Sequence, residues 1–453
     1  MDYPFGKAAF WILILALLSG IGVAALNRSH RVHRPDLVFL TYTSDHANVY
    51  APLIHKFERD HHVTVDLEVV DLAALQERLT AAFQVHAEVP DLVELGVVLM
   101  GSATKGPLED VGFWDLTDKI HTAHLDDQLV SARFAGFSSR GHIFALPHDV
   151  HPVMLLYRAD LLAKLHIDPS QLTTWDDFTR IGRQVTKDID GDGIIDRYMI
   201  NLPDDSHDGL QMLLLQKGIS LFDPMGNVSF DTPDAAETLC WYVRQTEGAT
   251  RISFNAQGQQ NLCRCMIDGL CLFYICPDWR SRQFQLDVPS LSGKLALMPL
   301  PAWSPGQRRT STWGATGLAI TKACQHKDLA WQLAMSLYYD KNQLGPRFEA
   351  TNILPPLKAA WTNPAYDQPR TFFSNQPIGR LYANLAPFVP SDYANPYTSI
   401  AQAKLRDAYL NTKLYYRDHP NADLMPIALD QLHSAAASIR QIQSRNVLLE
   451  TAH

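Results

Sequence analysis

The hydrophobic positions of this chain change period in a regular order. Residues 37–42 form a short apolar run, and Val49, Leu53 and Phe57 follow at spacings of four, the buried stripe of a helix. Val63, Val65, Leu67 and Val69 then alternate as a strand does. Leu72, Leu75, Leu79 and Phe83 return to helical spacing before a second apolar run at 92–95. This β-α-β-α-β order predicts a parallel sheet covered by helices, with any ligand beyond the carboxyl ends of the strands. Those ends fall at 41–45 and 94–96.

The pattern continues with a strand at 153–158 and a helix opened by Thr174. Asp176 and Asp177 lie in its first turn, and Phe178, Ile181 and Val185 on its buried side. A strand at 198–201, an apolar helix from 210, a helix opened by Thr232-Pro233 and an apolar strand at 269–275 come next. A helix at 328–339 and two amphipathic helices near 400–416 and 422–443 close the chain. Between them, 293–320 decides the architecture. An apolar run at 295–298 is broken by Pro299, Pro301 and Pro305, passes through a polar loop and resumes as a strand-like segment at 312–320 with Trp313 near its start. Arg308 and Arg309 in that loop read as solvated charges. Two strands of different sheets joined by one crossing imply two lobes that share a hinge, and 453 residues exceed a single comfortable core.

Composition narrows the function. A net charge of −9 without a basic stripe excludes a nucleic-acid partner. Residues 8–26 carry no charge and follow Lys7, so they read as an uncleaved membrane anchor or as a signal peptide cleaved after Val23-Ala24-Ala25. Arg28, Arg31 and Arg34 run against export by the positive-inside bias. All six cysteines lie between Cys240 and Cys324, as buried small hydrophobes or as disulfides in any of about 15 pairings. Cys263-Arg264-Cys265 lacks zinc spacing, and the eighteen histidines show no HExxH pattern.

Several stretches resemble one family. Pro90-Asp91-Leu92-Val93, Gly141-His142-Ile143-Phe144-Ala145-Leu146-Pro147-His148-Asp149, Thr174-Trp175-Asp176-Asp177-Phe178, the hairpin-like 221–230 and Trp313-Gly314-Ala315-Thr316-Gly317-Leu318-Ala319-Ile320 are similar to segments of the family 1 extracellular solute-binding proteins. These are the carbohydrate-binding subunits of ABC importers. His142 replaces the family lysine, and Ala315 the second glycine of its pair. Residues 106–113 are similar to an arabino-oligosaccharide-binding subgroup, and the resemblance spans about 37–445.

The resemblance implies an α/β periplasmic-binding-protein-like fold. Residues 36–148 and 312–360 form one lobe and 149–311 and 361–445 the other, with a leader at 1–35, a tail at 446–453 and a hinge near 147–151. It further implies a monomer outside the cytoplasm that closes on a sugar or oligosaccharide, hands it to an ABC permease, touches the membrane through its N-terminal segment and performs no chemistry.

A sugar site needs aromatic faces together with planar carboxylates, amides or guanidiniums. Trp279, at the end of the 269–275 strand where the family carries a stacking tryptophan, and Trp313 are the expected platforms. Glu94, Asp149, His151, Asp204, Arg280 and Ser44 are the expected hydroxyl partners, each otherwise read as a surface or hinge group. Trp175 reads as a packing anchor. Asp188, Asp190, Asp192 and Asp196 have calcium-loop spacing around Gly193, but Met199 stands where the bidentate glutamate belongs, so the loop reads as a structural calcium site or as a plain solvated turn. No other cofactor is expected. The rival readings are a secreted glycoside hydrolase using Asp149 and Asp204 and a membrane-tethered sugar sensor.

Overall fold

The computed structural model describes residues 11–12, 14–19, 34–85 and 88–446. Most of the 8–26 segment, its expected cleavage point and residues 447–453 lie outside them. Among the described residues no helix is long and apolar enough to cross a membrane.

The opening follows the hydrophobic periods. Strand β1 (Leu37–Thr41), helix α1 (Ser44–His61), strand β2 (Val65–Val69), helix α2 (Leu72–Val85) and strand β3 (Leu92–Leu95) alternate. β1 pairs in parallel with both β2 and β3. All four residues of β3 are buried, as a strand covered on both faces must be, whereas β2 sits half-exposed at the sheet edge. The sheet is completed from far along the chain. Strand β4 (Leu146–Pro147) and a late strand over Gly317–Ile320 give the order β2-β1-β3-late strand-β4, the late strand running antiparallel to both neighbours.

The second sheet is built from β5 (Val153–Arg158), β6 (Tyr198–Asn201), β7 (Ser253–Phe254), β8 (Cys271–Pro277) and β9 (Leu295–Pro299), in the order β9-β5-β8-β6-β7. The late strand of the first sheet is therefore β10. Side chains alternate across this sheet: Val153, Leu155, Phe273 and Ile275 face a core closed by helices α3 (Trp175–Val185), α5 (Pro233–Thr246), α9 (Thr398–Asp418) and α10 (Met425–Gln443). Met154, Leu156 and Cys276 face the other way, into a core shared with Leu37, Phe39 and Ile320 of the first sheet. Four further helices are α4 (Asp208–Lys217), α6 (Asp278–Asp287), α7 (Lys327–Tyr339) and α8 (Lys341–Thr351).

Trp175 is buried, donates Nε1–H to Gln216 Oε1 at 3.0 Å and packs against Trp241 and Trp303, as a core anchor would. All six cysteines are free, and all but Cys263 are buried, so the disulfide alternative falls away. Arg308 and Arg309 are not solvated charges. Arg308 donates to the carbonyls of Leu215 and Gln216 in the last turn of α4, and Arg309 donates to Leu300 O. The 312–320 segment is strand only from Gly317. Thr312 makes a single bridge to Pro152, and Gly314 at φ +94° turns the chain between them.

Candidate functional site

The two sheets face each other across a cleft of about 660 Å³. Tyr42, Thr43 and Asp45 reach it from the carboxyl end of β1 and the start of α1, and Asp208, Gln211, Trp279 and Arg282 from the first turns of α4 and α6. Residues 312–316, crossing between the lobes, form its back. There Trp279 and Trp313 meet edge to face, with ring centroids 6.2 Å apart at 77°, and Trp279 Nε1–H donates to Trp313 O at 3.0 Å. A Cβ on Gly314 would stand 3.3 Å from the His151 ring and 3.6 Å from Trp279 Nε1, and its positive φ adds to the cost of any side chain. Glycine here lets the crossing segment lie against both rings.

Beneath the back wall runs a buried ion network. His151 donates from Nδ1 to Asp278 Oδ1 at 2.6 Å and from Nε2 to Asp149 Oδ2 at 3.0 Å. Asp149 also accepts from Arg133 Nη2 at 3.0 Å and from the Thr316 amide at 3.1 Å, while Asp278 Oδ2 accepts the Leu354 amide at 2.8 Å. Two cations thus face two carboxylates. Burial lowers the pKa of His151, but the charges of Asp149 and Asp278 outweigh it and raise it to about 9. Burial works against the Asp149 carboxylate too, yet His151, His148 and Arg133 hold it well below the usual range. The network ties together the three segments that pass between the lobes. Their backbones also pair: His148 N–H to Thr316 O at 2.9 Å, Val150 N–H to Leu354 O at 3.0 Å and Val153 N–H to Ser311 O at 3.1 Å.

The cleft carries few formal charges. Asp45, Asp208 and Asp392 are its carboxylates, Arg282 is its guanidinium, and the amides of Gln76, Gln211, Gln283 and Gln402 add to the polar lining. Gln402 Nε2–H donates to Gln211 Oε1 at 3.2 Å, which orients both amides. Burial pushes the half-buried Asp392 carboxyl up to about 6, against the pull of Ser220 Oγ and Arg133.

Residues 52–373 match the model of a family described as bacterial extracellular solute-binding proteins. The chain belongs to that family. Its curated relatives include the arabinooligosaccharide-binding protein of Halalkalibacterium halodurans, 25% identical over 352 residues that cover 75% of each chain. The protein of the same name from Bacillus subtilis is 23% identical over 324 residues, 70% of this chain and 72% of that one. Among solved structures, the sugar-binding protein MalE from Xanthomonas citri superposes with a TM-score of 0.73 at 19% identity, covering 90% of this chain and 99% of that one. A cyclo/maltodextrin-binding protein complexed with maltotetraose superposes at 0.69 and 17% identity, covering 91% and 99%. The fold is the MalE-like periplasmic-binding-protein fold, with two sheets flanked by helices.

Of the residues expected to contact ligand in this solute-binding protein, Trp279, Trp313 and His151 line the cleft. His151 does so as the edge of the hinge network, with both ring nitrogens engaged. The other five are not among the residues that line the cleft. Glu94 is fully buried, and its oxygens accept from Thr41, His46, Tyr50 and Tyr338. Asp149 is consumed by the hinge. Asp204 pairs with Lys413 Nζ at 2.7 Å on α9, outside the cleft. Arg280 lies behind the tryptophans, 4.9 Å from the Trp313 ring centroid, in a side cavity of about 130 Å³. Ser44 is exposed beside the lining residues Thr43 and Asp45. Asp149 and Asp204 therefore share no site as a hydrolase pair. Asp188, Asp190, Asp192 and Asp196 are exposed and lie outside the cleft, and each accepts backbone N–H groups of its own loop. The first three bring carboxylate oxygens within 4.8 Å of one another, and Asp196 stands outside that group. Sequence reasoning missed Asp208, Gln211, Arg282 and Gln402. Asp208 and Arg282 had a signal in the first turns of helices that follow strands, whereas Gln211 and Gln402 had none.

Proposed function

We propose that this extracytoplasmic solute-binding protein captures a sugar or oligosaccharide between its lobes, closes by hinge rotation and delivers it to an ABC permease. The observation that carries this reading is the near-orthogonal Trp279–Trp313 pair at the back of a cleft whose polar lining is largely carboxylates and amides. Aromatic faces take the C–H side of a pyranose or furanose ring, and planar acceptors and amides pair with adjacent hydroxyls. With few formal charges around it, the cleft suits a neutral polyhydroxy ligand better than a phosphate or a peptide terminus. Arabino-oligosaccharides are the first class to try, since two curated relatives carry that name. The N-terminal apolar segment serves as leader or anchor and keeps the lobes outside the cytoplasm.

Isothermal titration calorimetry of the purified protein with arabino-, malto- and galacto-oligosaccharides and their monomers tests the proposal. Saturable binding of one class at one site per chain, with the sugar recovered intact, is expected. Heat from none of them, or recovery of a cleaved sugar, overturns it.

A further inference from the structure

Beneath the first-lobe wall of the cleft, three side chains from separate elements converge. His46 lies in the first turn of α1, Glu94 on β3, and His148 in the segment after β4 that crosses to the second lobe. One ligand atom from each lies within 4.8 Å of the other two, and all three side chains are buried. We propose that His46, Glu94 and His148 form a binding site for a divalent transition-metal ion of the zinc class.

An ion pair between Glu94 and His46 would by itself explain the 3.0 Å contact of Oε2 with Nδ1. It leaves His148 unexplained. Nε2 of His148 is buried and has no hydrogen-bond partner among the described residues. Nδ1 lies 3.4 Å from Asp149 Oδ2, so it is the nitrogen that carries the proton, and the lone pair is on Nε2. A histidine that donates one N–H to a carboxylate and keeps the other nitrogen bare is the arrangement that outer-shell carboxylates impose on metal-binding imidazoles.

The other members are held in the same way. Glu94 Oε1 accepts from the Tyr50 and Tyr338 hydroxyls at 2.7 and 2.6 Å, which orients the carboxylate. The His46 and His148 rings lie 4.3 Å apart, centroid to centroid. In a four-coordinate zinc site with bonds of about 2.0–2.1 Å, neighbouring ligand atoms stand roughly 3.3 Å apart, close to the Glu94–His46 separation. Two imidazoles and one carboxylate suit zinc and its neighbours rather than calcium or magnesium, which want oxygen alone. Three protein ligands leave a fourth position, and the approach is from the cleft, because His46 is the one of the three that lines it. The inference does not depend on what the cleft binds.

The test uses the full chain, stripped with chelator and equilibrated by dialysis against zinc, with bound metal counted and cobalt(II) as a spectroscopic substitute. One tight equivalent and the visible ligand-field bands of four-coordinate cobalt without thiolate charge-transfer absorption are expected. His46→Gln and His148→Gln should each weaken binding by more than the ~10–100-fold that loss of an outer-shell partner costs. Circular dichroism verifies folding. If His148→Gln unfolds, His46→Gln at the cleft edge decides. No tight equivalent in the wild type, unchanged affinity in a folded histidine variant, or a thiolate band would overturn the proposal.

Discussion

Trp279 and Asp149 separate two kinds of residue. Trp279 stands in the cleft wall, so Trp279→Ala should lose an aromatic face and at least about tenfold in sugar affinity, ~1.4 kcal/mol, with little change in melting temperature. Calorimetry that returns an affinity within threefold of wild type takes the ring out of the site. Asp149 is structural. Asp149→Ala would leave His151 and Arg133 facing a hole and should cost about 3–5 kcal/mol by urea unfolding. His151 adds a pH dependence. Its pKa of about 9 exceeds the unfolded value near 6.5, so its contribution is complete below pH ~6.5 and disappears as pH rises through about 9. The shift corresponds to about 3 kcal/mol. Urea midpoints at intervals from pH 6 to 10 should fall for the wild type over that window. If His151→Gln falls just as far, the network is not the cause.

At the scale of elements, local chemistry could be read where a motif is self-contained. Thr174 accepts from the Asp177 amide while the Asp177 side chain accepts from the Thr174 amide, and the helix begins where the spacing of acids and apolar residues places it. Thr174→Ala should cost about 1 kcal/mol, measured by urea denaturation, with ligand affinity unchanged. Elements that need a distant partner were less legible. The 312–320 run reads as one strand, but only Gly317–Ile320 pairs with β3, Gly317 and Leu318 pairing with β4 as well, and the residues before them become the back wall of the cleft. Trp279 was expected at a strand end. It is the second residue of α6, because Pro277 ends β8 and begins the turn into the helix.

For the whole molecule, the hinge is the feature on which function turns. Three chain segments lie side by side between the lobes, locked by backbone pairs and the Arg133–Asp149–His151–Asp278 network. Rotation can be absorbed there while each sheet stays rigid, and a ligand favours closure only through contacts it makes with both lobes. Small-angle scattering should show the radius of gyration falling on addition of the sugar that binds. That sugar at a hundredfold excess over its dissociation constant should stabilise the fold by about 2.7 kcal/mol. An unchanged radius at saturation would mean that binding proceeds without closure.

Hydrophobic period and punctuation by themselves determined the alternation of strands and helices and the two-sheet architecture, whereas Trp279 was named through the family resemblance. The first two depend on neighbours within a few turns, or on a strand's own alternation. Which carboxylates face the ligand was a tertiary decision. Glu94 near the end of β3 and Asp45 at the start of α1 both follow the stretches read as strands of the first sheet, yet Leu318 pairs opposite Glu94 and the Tyr50 and Tyr338 hydroxyls seal it, while Asp45 stays open. The meeting of His46, Glu94 and His148 was decided in the same way. They come from three elements brought together only when the sheet forms, and a carboxylate's role depends on what packs over it, which no local spacing records.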